Sequence, residues 1–489
     1  MSSDATTSSP PSPSQSCTKK PRKDTQNTHQ LQKTIKKDNE YTEDYSVQQQ
    51  NDRMLCMEQT TLQEQLMEYD NGGLVLYALS YLDVATLLQK QVVSKHFKDL
   101  CTKAISMKCG NDGPKPHTNE TLKNSIREFC LIMYDRGTYC NKKEIMENIA
   151  STYGFPIDSW NVSQVTDMSW LFYHRACFNE QIGSWDTSNV TNMSSMFSYA
   201  SSFNQDIGQW DVSNVRNMAN MFCNAEQFNQ NIGKWDVSNV TDMSEMFNRA
   251  FSFNQDIGQW DVSNVIDMRG MMGRSEEFNQ DIGSWNTSNV TTMNSMFSEA
   301  CCFNQDIGRW NVSKVTDMSG MFSRAVAFNQ DIGQWDVSNV SNMRRMFDSA
   351  CEFNQDIGQW DTSNVIDMSL MFVNAIRFNQ AIGQWDVSKV TNMGGMFFGL
   401  TRFNQYIGGW DVSNVKNMTR MFCFARIFNQ DIGNWDVSRV EHTIEMFCNA
   451  KAFNHSLRSW DLSNLVDADL MFPDGFPDNL RPQNYNFDQ

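Results

Sequence analysis

No apolar run reaches membrane-spanning length anywhere in the 489 residues. The first 50 residues also lack the shorter apolar stretch that a signal peptide needs. The 13 cysteines are odd in number, contain no CxxC pair and include the adjacent Cys301 and Cys302, which is not how a disulfide framework looks. A reducing compartment is therefore expected, cytoplasmic or nuclear, with no membrane partner. Phosphate-cradling glycine motifs are missing. The six histidines (His29, His96, His117, His174, His442 and His455) show no recurring nucleophile–base or metal-ligand spacing. An enzyme is not expected, and neither is a cofactor or a metal. Net positive charge is absent as well: residues 1–150 hold 19 charges of each sign, so the whole net charge of −17 falls on 151–489. An array of that sign repels a phosphate backbone, which argues against nucleic acid as a partner.

What the chain has instead is a rhythm. Thirteen tryptophans, from Trp160 to Trp460, recur every 25 residues without a slip, and only Trp170 stands outside the series. A fixed period of this length means stacked repeats, each unit covering the apolar face of the next. In the unit 203–227, Ile207, Trp210 and Val212 suit a short strand in a parallel ladder. Met218, Met221, Phe222 and Ala225 then follow at i, i+3, i+4 and i+7, the spacing of a buried helical face, with Asn217 as its N-cap. Eleven methionines lie eight residues after a repeat tryptophan and twelve lie eleven after, which marks core columns. Serine fills the third position after all thirteen tryptophans, and asparagine fills one slot in twelve units. Stacked side chains of this kind satisfy buried backbone groups in tight turns. The aspartates that follow many of the tryptophans read as turn caps.

The expected fold class is thus an α/β repeat: a leucine-rich-repeat-like solenoid with a short parallel strand and a short helix per unit. The pattern FNQDIGxWDVSNVTDMSxMFxxA resembles the BspA-like leucine-rich repeats, although Ile, Trp, Val, Met and Phe stand where leucine is usual. That resemblance implies protein binding or adhesion. Ahead of the array, residues 1–70 are polar and too poor in apolar side chains to fold alone, with basic clusters within 19–37 that are similar to a nuclear import signal. Residues 71–108 form a helical unit. Its Leu79-Ser80-Tyr81-Leu82-Asp83, Leu87-Leu88 and Val93-Ser94-Lys95 resemble an F-box. The resemblance implies docking of a Skp-family adaptor through Leu79, Leu82, Leu87, Leu88 and Val93. Helices are predicted over 120–134 and 142–153, making 118–155 an N-terminal cap to an array at 156–475, with a tail at 476–489.

Function then follows from module order: a non-enzymatic protein-binding repeat protein, of the kind that serves as an F-box-type substrate adaptor of a ubiquitin ligase. Adhesion at a cell surface and a scaffold without ubiquitin are the alternatives. Specificity should reside in slots that the repeat leaves free. One set precedes the tryptophan: Gln209, Lys234, Gln259, Arg309 and Asn434. The other follows the first core methionine, as at Arg344 and Arg345.

Overall fold

A computed structural model describes residues 115–134, 142–483 and 485. The F-box-like residues Leu79, Leu82, Leu87, Leu88 and Val93 lie outside that range. Two helices occur where apolar spacing predicts them: α1, Asn119–Tyr134, and α2, Lys142–Tyr153. Leu122, Ile126 and Phe129 of α1 and Met146 and Ile149 of α2 bury into the same core as Trp160 of the first repeat.

The repeats themselves are not the expected strand-plus-helix units. Among the described residues the only further elements are two 3-10 turns, Ile157–Ser159 and Asp478–Leu480, and no strand is present. The leucine-rich-repeat-like α/β reading is therefore corrected. Each unit is one coil of tight turns, joined to its neighbours by a single parallel bridge at the seventh position after the tryptophan. Twelve such bridges run from Asp167↔Asn192 to His442↔Asp467.

Backbone hydrogen bonding explains why the helical spacing misled. In a helix every N–H points along the local axis to the carbonyl four residues back. Here alternate groups divide between two directions. The N–H groups of Met218, Asn220, Phe222 and Asn224 donate to Asp242, Ser244, Met246 and Asn248 O of the next coil, at 2.7–2.9 Å. Those of Met221, Cys223 and Ala225 donate within the coil to Met218, Asn220 and Phe222 O, at 2.9–3.1 Å. The remaining N–H, on Ala219, goes to Asn217 Oδ1 at 2.9 Å. No donor in this stretch is orphaned, as burial requires. The alternation needs a left-handed residue at the tenth and fourteenth positions, and Asn220 and Asn224 supply φ of 58° and 57°. Both conformations place i, i+3, i+4 and i+7 in the core, so apolar periodicity cannot tell them apart. The predicted strand fails for a similar reason. Trp210 N–H donates to Ile207 O at 3.1 Å and Val215 N–H to Val212 O at 2.9 Å, so tight turns replace extended chain.

Three aromatic columns thread the stack. Each tryptophan from Trp185 to Trp460 donates its indole N–H to the carbonyl of the residue 28 positions earlier, such as Trp210 to Ile182 at 3.1 Å. Phe197 stacks on Phe222 of the next coil at 5.6 Å and on Phe203 at 3.9 Å. Asparagines form a polar column outside this core: Asn229 N–H donates to Asn204 Oδ1 at 3.0 Å, and the pattern runs from Asn179 to Asn454.

The N-terminal cap imitates a missing coil. Asn119 Oδ1 accepts from the N–H of Thr166 at 2.9 Å, where later coils receive a preceding carbonyl, as Thr191 does from Thr166 O. Trp160 finds its acceptor in Gly154 O at 3.0 Å. At the other end Leu457 N–H donates to Leu480 O at 2.8 Å, and Phe472 and Phe476 stack at 5.0 Å. Both terminal coils are thereby covered, which limits edge-to-edge association.

His117 sits in the N-terminal cap, fully buried, with its ring 3.8 Å from Tyr153 and 4.8 Å from Trp160. Its Nε2 has no hydrogen-bond partner. Burial lowers its pKa from the ordinary 6.5 to about 4. The folded chain then refuses a proton that the unfolded chain takes, so this contribution to stability is whole above pH 6.5 and drains away down to about 4. Urea midpoints measured across that window should fall less steeply in His117→Gln than in the native chain. Parallel pH profiles would refute the assignment.

Candidate binding face

Side chains at most positions of the coil are fixed by the stack. The aspartate that follows ten of the thirteen repeat tryptophans is an example: Asp211 Oδ1 accepts from Ser213 N–H at 3.0 Å and Ser213 Oγ–H at 2.6 Å. Those bonds, the hydroxyl's first, hold the carboxyls of Asp211, Asp261, Asp386 and Asp436 below the usual carboxylate range. Asp206 likewise accepts from Gly208 N–H at 2.9 Å. Much of the negative charge is therefore structural, stationed at turns.

Variation is concentrated on the stretch that carries the left-handed residues. The ninth, tenth, thirteenth and fourteenth positions after each tryptophan alternate with the buried methionines, phenylalanine and alanine. Most of their side chains lie at or near the surface, so the stack leaves them freer to differ, although Cys223 and Cys423 at the thirteenth position are buried. They present three chemistries in succession along the array.

The first coils present aromatic side chains. Trp170, the tryptophan outside the series, has φ 63° and is 56% exposed. Its ring meets Tyr173 edge-on at 4.7 Å, and His174 stacks on Tyr199 of the next coil at 4.3 Å. Lys123 and Arg127 of α1 join Ser169, Trp170, Tyr173 and Arg175 around a cleft of about 270 Å³. Lys123 Nζ is held by Asp167 Oδ2 at 2.7 Å. Middle coils present arginine: Arg249, Arg269, Arg274, Arg324, Arg344 and Arg345. Glu299 bridges two of them across three coils, at 2.9 Å from Arg274 and 3.6 Å from Arg324. The last coils add apolar side chains beside the Arg420–Glu445 ion pair, with Phe424 and Leu470 exposed and Phe398 edge-on to Phe424 at 5.7 Å.

Arg344 and Arg345, expected to contribute to specificity, fall on this face and are exposed. Gln209, Lys234, Gln259, Arg309 and Asn434 are exposed too, but they occupy a separate stretch of each coil, just before the tryptophan. No hydrogen bond or ion pair among the described residues joins the two sets. Sequence reasoning missed the aromatic cluster of Trp170, Tyr173, His174 and Tyr199. The signal was available: Trp170 breaks the tryptophan rhythm at the tenth position, where Asn, Ser, Gly, Glu, Arg and Leu stand in other coils.

The asparagines of the Asn-Val-Ser and Asn-Val-Thr triplets belong to the fixed positions. Asn239 Nδ2 donates to Ser213 O of the preceding coil at 2.8 Å, and Asn289 Nδ2 to Ser263 O at 2.8 Å. Where lysine replaces asparagine, Lys314 Nζ reaches Asn289 Oδ1 at 2.7 Å instead.

Neither the curated proteins nor the solved structures contain a match to the chain. A protein-family model does match, four times in overlapping succession, over residues 141–250, 229–323, 303–397 and 371–481. These matches cover most of the chain and coincide with the stacked coils and α2. The chain therefore belongs to the repeat family described as Mycoplasma protein of unknown function, DUF285.

Proposed function

We propose that this repeat protein binds another protein along its variable face and catalyses no reaction itself. The observation that carries this reading is the gathering of aromatic and arginine side chains at the ninth, tenth, thirteenth and fourteenth positions of an otherwise repetitive coil. A binding surface needs positions that change without disturbing the scaffold, and the alternating backbone provides them. Tryptophan, tyrosine and arginine are the residues that most often dominate protein–protein affinity, and the first eight coils offer all three. Proximity labelling in the native cell, with the full chain and a Trp170→Ala, Arg345→Glu variant, tests the proposal. The variant should lose a defined set of neighbours, and their purified forms should bind it at least about tenfold more weakly. An unchanged neighbour list would count against this face.

The segment at 71–108 favours a more specific role. Its F-box-like residues support a Skp-family adaptor as second partner, making the array the substrate-holding arm of a ubiquitin ligase in the cytoplasm or nucleus. Leu87→Asp with Leu88→Asp should then abolish capture of the Skp-family protein by the full chain while leaving the array's neighbours in place. Where native capture is itself absent, the scaffold reading stands instead. A surface role would place glycans or substrate contacts beside Asn239 and Asn289, whose amides already serve the stack.

A further inference from the structure

We propose that Cys423, Glu445 and Cys448 form a binding site for one thiophilic divalent cation, with zinc the best fit to the donor set. Two sulfurs and a carboxylate oxygen here lie within 4.8 Å of one another. Stacking brings them together. Cys423 and Cys448 fill the same slot of consecutive coils, thirteen residues after Trp410 and Trp435. Glu445 belongs to the second coil, and its carbonyl accepts from Cys448 N–H at 3.1 Å, which closes the turn carrying both side chains. Cys423 is buried, while Cys448 and Glu445 are partly accessible from the variable face, so an ion has a route in.

Zinc bonds of about 2.3 Å to sulfur and 2.0–2.2 Å to oxygen set tetrahedral donors about 3.5–3.8 Å apart. The present spacing, up to 4.8 Å, contracts by about 1 Å on loading. Three protein ligands leave a fourth position for solvent or for a donor from a bound partner. The charges also balance. Two thiolates and one carboxylate exceed the ion by one negative charge, and the Arg420 guanidinium supplies the counter-charge, its Nε 2.8 Å from Glu445 Oε2. That contact leaves Oε1 for the metal. Asn449 Nδ2 donates to Cys448 Sγ at 3.3 Å, an outer contact of the type that orients a ligand. Loading displaces the two thiol protons into solvent and changes no oxidation state.

The array contains its own comparison. Cys223, Glu245 and Asn248 occupy the same three slots two hundred residues earlier, with Glu245 and Glu445 both at φ 53°. There asparagine takes the place of the second thiol and Asn220 stands where Arg420 does, so the first site lacks one soft ligand and the counter-charge. The same pair shows that either residue is accepted at the slot, which makes the exchange in both directions safe for folding.

The test uses the full chain, reduced and stripped by a chelator, then titrated with Co²⁺ and Zn²⁺. The native protein should take up one ion with the visible absorption of tetrahedral cobalt thiolate. Cys448→Asn should lose it, Asn220→Arg with Asn248→Cys should acquire a second ion, and Glu445→Gln should weaken binding roughly tenfold or more. Undiminished cobalt absorption in Cys448→Asn, or a single ion in the Asn220→Arg, Asn248→Cys variant, would overturn the site. So would recovery of Cys423 and Cys448 as a disulfide from protein purified without reductant, because the pair would then be a redox link and not a ligand set.

Discussion

Replacing Trp310 by alanine should destabilise the middle of the array by about 3–5 kcal/mol, among the largest effects available to one substitution here. The side chain is buried and stacks on Trp285 at 6.1 Å, and its indole N–H donates to Ile282 O at 3.0 Å. Alanine removes the ring, opens a cavity and leaves that carbonyl without its donor. Trp310→Phe isolates the last effect, since it keeps most of the apolar bulk. It should cost about 1–3 kcal/mol, the expense of a buried polar group left unmade. Position matters as much as chemistry. Stability in a stacked array is a sum over neighbouring contacts, so a weak coil in the centre faces two neighbours and a weak coil at the end faces one. Trp460→Ala should therefore fray the C-terminal coils and leave the main urea transition near its native midpoint. Equal midpoint shifts for the Trp310 and Trp460 variants would contradict the nearest-neighbour account.

Gly283→Ala is also expected to be damaging, although it adds a single methyl group. A Cβ on Gly283 would stand 2.3 Å from Asp306 O of the next coil. That contact is backbone against backbone, and the layer spacing is fixed by the inter-coil hydrogen bonds, so neither side can retreat alone. Overpacking of a rigid interior costs about 1–3 kcal/mol and sometimes more. The damage should fall between two coils, so limited proteolysis should cut the Gly283→Ala chain into two resistant halves. Gly409 is the matched control. A Cβ there meets nothing nearer than Tyr406 Cε1 at 3.8 Å, and Gly409→Ala should melt as the native chain does. Identical protease resistance in both variants would mean that the coils separate more easily than their hydrogen bonding implies.

The sequence made the stacking legible because tryptophan, methionine and phenylalanine columns can be read at a fixed period without any knowledge of the backbone. It made α1 and α2 legible because their apolar spacing is helical and nothing in their neighbourhood competes. It misled inside the coil. Met218, Met221, Phe222 and Ala225 satisfy the helical rule, yet Asn220 and Asn224 between them are left-handed. The residues found at such positions in other coils include Arg324, Leu370 and Phe424, none of which advertises positive φ. What secures that conformation is the pair of carbonyls in the adjoining coil, a partner that a single unit does not reveal. The binding face was half legible for the same reason. Arg344 and Arg345 could be picked out by variability, but grouping Trp170 with His174 and Tyr199 required knowing that the tenth and fourteenth positions share a side.

Every inter-coil backbone bond described above joins a slot to its counterpart or near-counterpart in the next unit, whatever the identity of that unit. The ends are different: Asn119 and the 457–485 segment each fit one terminal coil. A gain or loss of whole interior units by unequal recombination thus preserves the bonding scheme, while a change of any other length destroys it. The gene can lengthen or shorten its reading surface in discrete steps, shuffling aromatic, arginine-rich and apolar blocks relative to one another. Under the proposed binding role, copy number becomes a heritable variable of recognition, separate from the point substitutions that alter a single slot.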